Sequence, residues 1–268
     1  MIAATKMRTV PGGNLVKRTE PVDPSGKRRE VHRGAAVEVC HLTVAYDATP
    51  VLSSACLSIP SGSMTAVVGP NGAGKSTLVK TMLGLVPKIA GRIDFASGTD
   101  VGRGVAYVPQ RAGVDWDFPI TVFDLVMMGT YGRLRWFARP GCKQRVATAA
   151  ALDQVGIYDL AKRQIGELSG GQQQRAFLAR ALVQQPSMFI LDEPFAAVDV
   201  TTEQSLVACL KRMRDDGKTV VTVHHDLATV PEYFDHVVMV NRRVTACGPT
   251  AQVFTPENVE RTFGARVG

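Results

Sequence analysis

Short apolar runs alternate along this chain with stretches in which apolar residues return every third or fourth position. Met64–Val68 is such a run and reads as a buried strand, whereas residues 77–85 carry Leu78, Met82 and Leu85 at helical spacing. Residues 188–191 and 220–223 are further short apolar runs, cut off by Asp192 and Glu193 in one case and by His224 and His225 in the other. From 37 to about 62 the pattern changes to the alternation expected of antiparallel strands. Helices are expected near 144–156, with Val146, Ala150 and Leu152 on the apolar face, and near 172–184, with Phe177, Leu178, Ala181 and Leu182. The segment TPENVERTFG near the end reads as a short capped helix. Buried strands interleaved with amphipathic helices predict an α/β protein built on a parallel sheet.

Between the first apolar run and the first helix stands GPNGAGKST, residues 69–77. Gly69, Gly74, Lys75 and Ser76 fit G-x-x-x-x-G-K-[ST], in which closely spaced glycines let consecutive backbone N–H groups face a phosphate at a helix N-terminus. In such a loop the lysine reaches the β- and γ-phosphates and the serine hydroxyl binds magnesium. Asp192 and Glu193 end an apolar run, so they are expected at the C-terminal lip of a buried strand, where α/β sheets bind ligands. The aspartate suits a magnesium ligand. The glutamate beside it faces the other way in an extended chain and suits a general base for water. The pentapeptide LSGGQ, 168–172, supplies a helix cap in Ser169 and free backbone amides at Gly170 and Gly171, a second anion-binding helix start.

With FILDEP at 189–194 and HHDL at 224–227, these elements resemble the nucleotide-binding subunits of ABC transporters, and the resemblance runs from about residue 36 to the C-terminus. It implies the P-loop NTPase fold of ABC ATPases: a RecA-like core from 63–112 and 186–245, an antiparallel β subdomain, and an inserted α-helical subdomain at about 113–170. The cofactors implied are ATP and Mg2+. Nucleotide binding falls to Tyr46, which stacks on adenine, and to Gly69, Asn71, Gly72, Gly74, Lys75, Ser76, Thr77, Gln110 and Asp192. Magnesium falls to Ser76, Gln110 and Asp192, and catalysis to Glu193 and His225, the latter contacting the γ-phosphate. Ser169, Gly170, Gly171 and Gln172 would contact the nucleotide held by the other subunit, and Asp199 would lie in the loop that crosses the dimer interface. Two positions depart from the family: Ala197, where glycine or another small residue is usual, and His224, where threonine is usual. Adjacent histidines on a strand point to opposite faces and make a poor chelate, so the pair does not read as a metal site.

The stretch VDWDFPITV, 114–122, followed by MG-x-YG, resembles the branch that imports manganese, iron or zinc. There Trp116, Phe118 and Pro119 would form part of the groove that docks on the membrane subunit, and the WDFP form fits manganese or iron better than zinc. The resemblance thus implies a homodimer of nucleotide-binding subunits, integral membrane permease subunits and an extracytoplasmic metal-binding protein, with this chain peripheral on the cytoplasmic face of the membrane.

Composition changes this picture little. The chain has 268 residues, is 45% hydrophobic and 21% charged, and contains no run of 18 apolar residues that could cross a bilayer. Of the formal charge of +7, residues 1–36 carry +5 and show no apolar periodicity, so they read as a flexible basic extension preceding a single domain at 37–268. Arg28 and Arg29 are followed by no apolar segment, which speaks against an export signal. The five cysteines are scattered without C-x-x-C spacing and read as reduced thiols. A soluble ABC ATPase acting on nucleic acid or the ribosome is the alternative. It usually carries two cassettes or a coiled-coil arm, for which the interval from Lys75 to Ser169 is too short; an iron–sulfur assembly factor would not be expected to show WDFP. No nucleic-acid partner is expected.

Overall fold

The computed structural model describes residues 34–46, 49–96, 104–110, 116–134, 138–196 and 198–264. All but the last residues of the basic extension, and Ala197, lie outside the described residues. Two sheets organise the rest. Strands β1 (Ala35–Tyr46) and β2 (Thr49–Pro60) form an antiparallel hairpin, and β4 (Ala90–Phe95) adds to β1 on its other side. The second sheet has β3 (Met64–Val68), β5 (Val105–Val108), β6 (Met188–Asp192), β7 (Thr219–Val223), β8 (His236–Val240) and β9 (Val244–Pro249) in the order β5-β6-β7-β3-β8-β9. Its members run parallel except β9, which is antiparallel to β8. The expectation that 63–112 and 186–245 feed one parallel sheet is therefore corrected at β4, which joins the small antiparallel sheet; β9, almost wholly beyond 245, returns from β8 through a short turn, which permits only antiparallel pairing.

Buried parallel strands need cover on both faces. Strand parity sorts the side chains. Met64, Ala66, Val68, Phe189 and Leu191 face one cluster, whereas Val67, Met188, Ile190, Val221 and Val223 face the other. The first cluster is closed by α2 (Val122–Met128), α3 (Cys142–Gln154), α4 (Gly170–Leu182) and α5 (Val200–Asp215), all but α5 lying between β5 and β6 in the chain. The second is closed by α1 (Lys75–Met82) and the inner face of β1 and β2, through Val37, Val39, Leu42, Leu52, Leu57 and Ile59. Each such side chain taken fully from water contributes about 1.5–3 kcal/mol before entropy is charged against it. Three short helices complete the chain: α6 (Val230–Tyr233), α7 (Thr250–Val253) and α8 (Pro256–Phe263), the last capped by Thr255 and ended by Gly264 at φ 72°. Among the described residues no helix is long and apolar enough to cross a membrane.

Two helical faces differ from their sequence expectation. Helix α1 stops at Met82 because Gly84 turns the chain with φ 71°, and Leu85 is left exposed. In α3 the buried positions are Thr148, Ala151 and Leu152, while Val146 and Ala150 face outward. Hydrophobic character alone misassigned that face, because a buried threonine stands where an apolar residue was sought.

Candidate nucleotide site

Strands β6, β7 and β3 lie side by side in the large sheet and end at the same edge, so the loops leaving them converge. The loop after β3 passes so close to β8 that a Cβ at Gly69 would strike the carbonyl oxygen of Val240. The turn between β8 and β9 then grips the loop by backbone alone: the Arg242 N–H donates to the Ala73 oxygen at 2.9 Å and the Arg242 carbonyl accepts from Ser53 at 2.8 Å. Arg242 does this at φ 58°, a left-handed conformation that costs a non-glycine residue about 1 kcal/mol. No sequence signal marks this clamp, because its working atoms are main chain.

Within the loop, Asn71 and Gly72 are exposed, and Gly74 leads into α1, whose first residues are Lys75, Ser76 and Thr77. Lys75 is only 7% exposed and donates to the carbonyl oxygens of Gly69 at 2.8 Å and Pro70 at 3.0 Å. Burial lowers its pKa, against the opposing pull of Glu193 and Asp192. A desolvated ammonium held only by carbonyl dipoles attracts an anionic partner strongly. Ser76 Oγ donates to Asp192 Oδ1 at 3.1 Å, and the Tyr107 hydroxyl approaches Oδ2 at 3.5 Å. Asp192 is 2% exposed, and burial raises its pKa in spite of the Ser76 bond; burial and the aspartate together push Tyr107 up to about 12. Tyr107 was not singled out from the sequence, where it reads as an ordinary strand residue.

Glu193, one residue past β6, has φ 52°, so the extended alternation expected from the sequence does not continue to it. Its N–H donates to Val223 and its Oε2 accepts from Gln110 Nε2 at 2.7 Å, so Gln110, from the end of β5, joins the group. His225 follows β7 and is exposed. Tyr46 is 49% exposed at the tip of the β1–β2 hairpin, whose second strand borders the loop at Val51 and Leu52.

The segment LSGGQ is seated elsewhere, against α5. Ser169 and Gln172 form a reciprocal capping box, with Ser169 N–H donating to Gln172 Oε1 at 3.0 Å and Gln172 N–H to Ser169 Oγ at 3.4 Å. Gly170 and Gly171 open α4, and a Cβ on Gly171 would collide with Thr202. Thr202 is in turn the residue that Asp199 caps, through its N–H at 2.9 Å and its hydroxyl at 2.7 Å. Gly171 and Asp199 thus meet on one threonine. Those bonds hold the Asp199 carboxyl below its usual pKa.

Of the three residues expected to form a docking groove, the structure separates one. Trp116 turns inward, its ring 5.4 Å from that of Phe177 and packed on the main core, whereas Phe118 is 57% exposed and Pro119 is also at the surface. Trp116 is therefore a packing residue in this chain.

His224 is buried and its ring lies among Phe195, Tyr233 and Phe234. Burial first, and then the neighbouring His225, lower its pKa to about 4, with Asp226 pulling the other way. The ring is therefore neutral near pH 7. Since its free value is 6.5, the unfolded chain takes up the proton first, and acidification from pH 6.5 toward 4 weakens the fold; above pH 6.5 the effect vanishes. The loss approaches about 3 kcal/mol at the acid end. Melting curves across that window should fall more steeply for the natural chain than for His224→Phe; parallel curves would contradict the neutral, buried assignment.

Comparison with known proteins agrees with the geometry. A family described as ABC transporter matches residues 52–196, more than half of the chain. The zinc transport system ATP-binding protein TroB of Treponema pallidum (strain Nichols) is 51% identical over 234 residues, spanning 87% of this chain and 88% of the relative. The manganese transport system ATP-binding protein MntB of Bacillus subtilis (strain 168) is 49% identical over 233 residues, spanning 86% and 93%. A solved ATP-binding cassette, dimeric in a post-hydrolysis state and bound to ADP and Pi, matches with a TM-score of 0.69 at 25% identity, over 80% of this chain and 98% of that one. A phosphate-type loop clamped at the edge of a parallel sheet, two acids at the end of β6 on the same edge, and this degree of likeness lead to one conclusion: the chain belongs to the ABC transporter family, among its ATP-hydrolysing subunits.

Proposed function

We propose that this chain powers the import of a divalent metal ion, manganese, iron or zinc, as a head-to-tail homodimer attached to permease subunits on the cytoplasmic face of the membrane. The observation that carries the nucleotide chemistry is the buried Lys75 ammonium, 2.8 Å from the Gly69 carbonyl, beside the Ser76–Asp192 pair. The cargo rests on the relatives, one of which is a zinc and one a manganese transport protein by name. They give no support to a nucleic-acid or iron–sulfur assembly role.

The backbone N–H groups of Gly69, Asn71, Gly72 and Gly74 and the first turn of α1, including Thr77, cradle the phosphates, and Lys75 exchanges its two carbonyls for the β- and γ-phosphate oxygens. Tyr46, at the hairpin tip, stacks on the adenine. Ser76, Asp192 and Gln110 would hold Mg2+; a hydroxyl and a carboxylate oxygen 3.1 Å apart are hard donors of the kind this ion takes. When bound, the ion neutralises phosphate charge. Glu193 accepts the proton of the attacking water while Gln110 fixes its carboxylate, and His225 touches the γ-phosphate. Ser169, Gly170, Gly171 and Gln172 of the second copy present a capped helix start to the same phosphate, with Asp199 at the crossing point. Loss of the γ-phosphate removes contacts that exist only in the closed pair, and this difference drives the conformational cycle. An extracytoplasmic metal-binding protein and the permease choose the ion.

The permease contact falls on the exposed Phe118 and Pro119. Phe118→Glu should leave MgATP binding and melting temperature unchanged and abolish copurification with the permease. Trp116→Glu should instead destabilise the chain by roughly 1–3 kcal/mol, since it removes a partly buried aromatic packed on Phe177. Copurification of Phe118→Glu at the natural yield would place the docking surface elsewhere.

A further inference from the structure

The roles assigned above leave His224 without a task, although it stands beside His225 and replaces the family's usual threonine. Its surroundings are built. The ring is 1% exposed, with ring centroids 5.5 Å from Phe195, 5.2 Å from Phe234 and 6.4 Å from Tyr233. Its Nε2 lies 2.7 Å from Thr229 Oγ1, and that hydroxyl donates to the Asp226 carbonyl at 3.2 Å. With the threonine proton committed to Asp226, Nε2 carries the proton of the bond to Thr229. The main chain of His224 meanwhile extends the β-ladder by donating to Val67 at 3.0 Å.

These contacts close the turn 225–229 at both ends. Its start is anchored by the ladder bond of His224, the residue before His225, and its last residue, Thr229, is held by the ring; Asp226 Oδ1 accepting from Ala228 at 2.9 Å stiffens the middle. Phe195 reaches the same ring from the loop that follows β6, two residues beyond Glu193. One buried imidazole therefore touches both catalytic loops. A threonine at 224 could not span this distance. A phenylalanine could fill the space but would leave Thr229 held only by its bond to the Asp226 carbonyl.

Resting on the reading of His225 and Glu193 given above, we propose that His224 is a positioning residue for hydrolysis: it holds the turn bearing His225 and, through Phe195, the loop bearing Glu193 in fixed relation. It acts by geometry and exchanges no proton with substrate.

The test is steady-state MgATP hydrolysis by the full chain carrying His224→Phe, Thr229→Val, both together, and each in a His225→Ala background. Either single change should lower kcat by about tenfold while KM stays within about twofold, the pattern of misplaced catalytic groups with intact binding. The double variant should be no slower than Thr229→Val alone, because both changes break the His224–Thr229 bond and only Thr229→Val also removes the bond to Asp226. In the His225→Ala background His224→Phe should lower kcat by clearly less than the tenfold it causes alone, since the part of its effect that passes through His225 is already lost. His224→Gln, which keeps an N–H near the Nε2 position, should recover part of the loss. Thr229→Val, nearly isosteric and away from the core, keeps the test open should His224→Phe fold poorly. If His225→Ala is impaired while His224→Phe and Thr229→Val turn over like the natural chain, the positioning role is wrong. Losses that multiply in the His225→Ala background would also overturn it. If His225→Ala itself turns over normally, the reading of His225 fails and takes this inference with it.

Discussion

Glu193→Gln should lower ATP hydrolysis by about two to four orders of magnitude, the usual worth of a positioned base, while MgATP affinity stays within a few-fold of the natural chain. The geometry makes this substitution clean. Gln110 Nε2 donates to Glu193 at 2.7 Å, and a glutamine amide oxygen can accept the same bond, so the side chain keeps its place and loses only its charge and basicity. The left-handed φ of 52° at this position is also unchanged by the substitution. With hydrolysis blocked and binding intact, the two copies should remain closed on ATP, and size-exclusion chromatography with MgATP should show a dimer that the natural chain forms only transiently. Turnover within a few-fold of the natural chain would remove Glu193 from the mechanism.

Lys75→Ala should abolish measurable turnover and weaken MgATP binding by about ten- to a hundredfold, because charge-assisted bonds to two phosphates are lost. Its effect on the nucleotide-free chain should be small. The natural lysine is buried and held by the carbonyls of Gly69 and Pro70, so removing it relieves a desolvated charge at the same time as it breaks two hydrogen bonds. Thermal melting separates the two effects: the variant should melt near the natural chain without nucleotide, and should lose most of the rise in melting temperature that saturating MgATP gives. An unchanged rise would mean that nucleotide binds elsewhere.

Both residues could be found from sequence because their signal is local. GPNGAGKST needs only the adjacent strand and helix to take its shape, and the apolar run before Asp192 and Glu193 sets them at a strand end. What depends on distant partners was not legible. Nothing in the string around Tyr107 shows that its hydroxyl will reach Asp192 from a neighbouring strand, or that Arg242 will hold Ala73 through its main chain. Nor can the sequence show that β4 crosses to the small sheet and that β9 turns back on β8, since hydrophobic alternation records burial and not pairing partners. Trp116 illustrates the same limit. Its motif suggested a surface, and only the position of Phe177 shows that it is filled inward. The departure at His224 was visible as a letter, but its meaning lies in Phe195, Tyr233 and Phe234, which come from two distant segments.

Coupling of this ATPase to metal entry is tested most directly by uptake of manganese, iron and zinc in a strain lacking the chain, complemented with either the natural sequence or Glu193→Gln. The expected result is loss of saturable uptake of at least one of these ions on deletion, restored by the natural sequence and not by the variant. Uptake of all three ions unchanged by the deletion, or restored equally by Glu193→Gln, would contradict it.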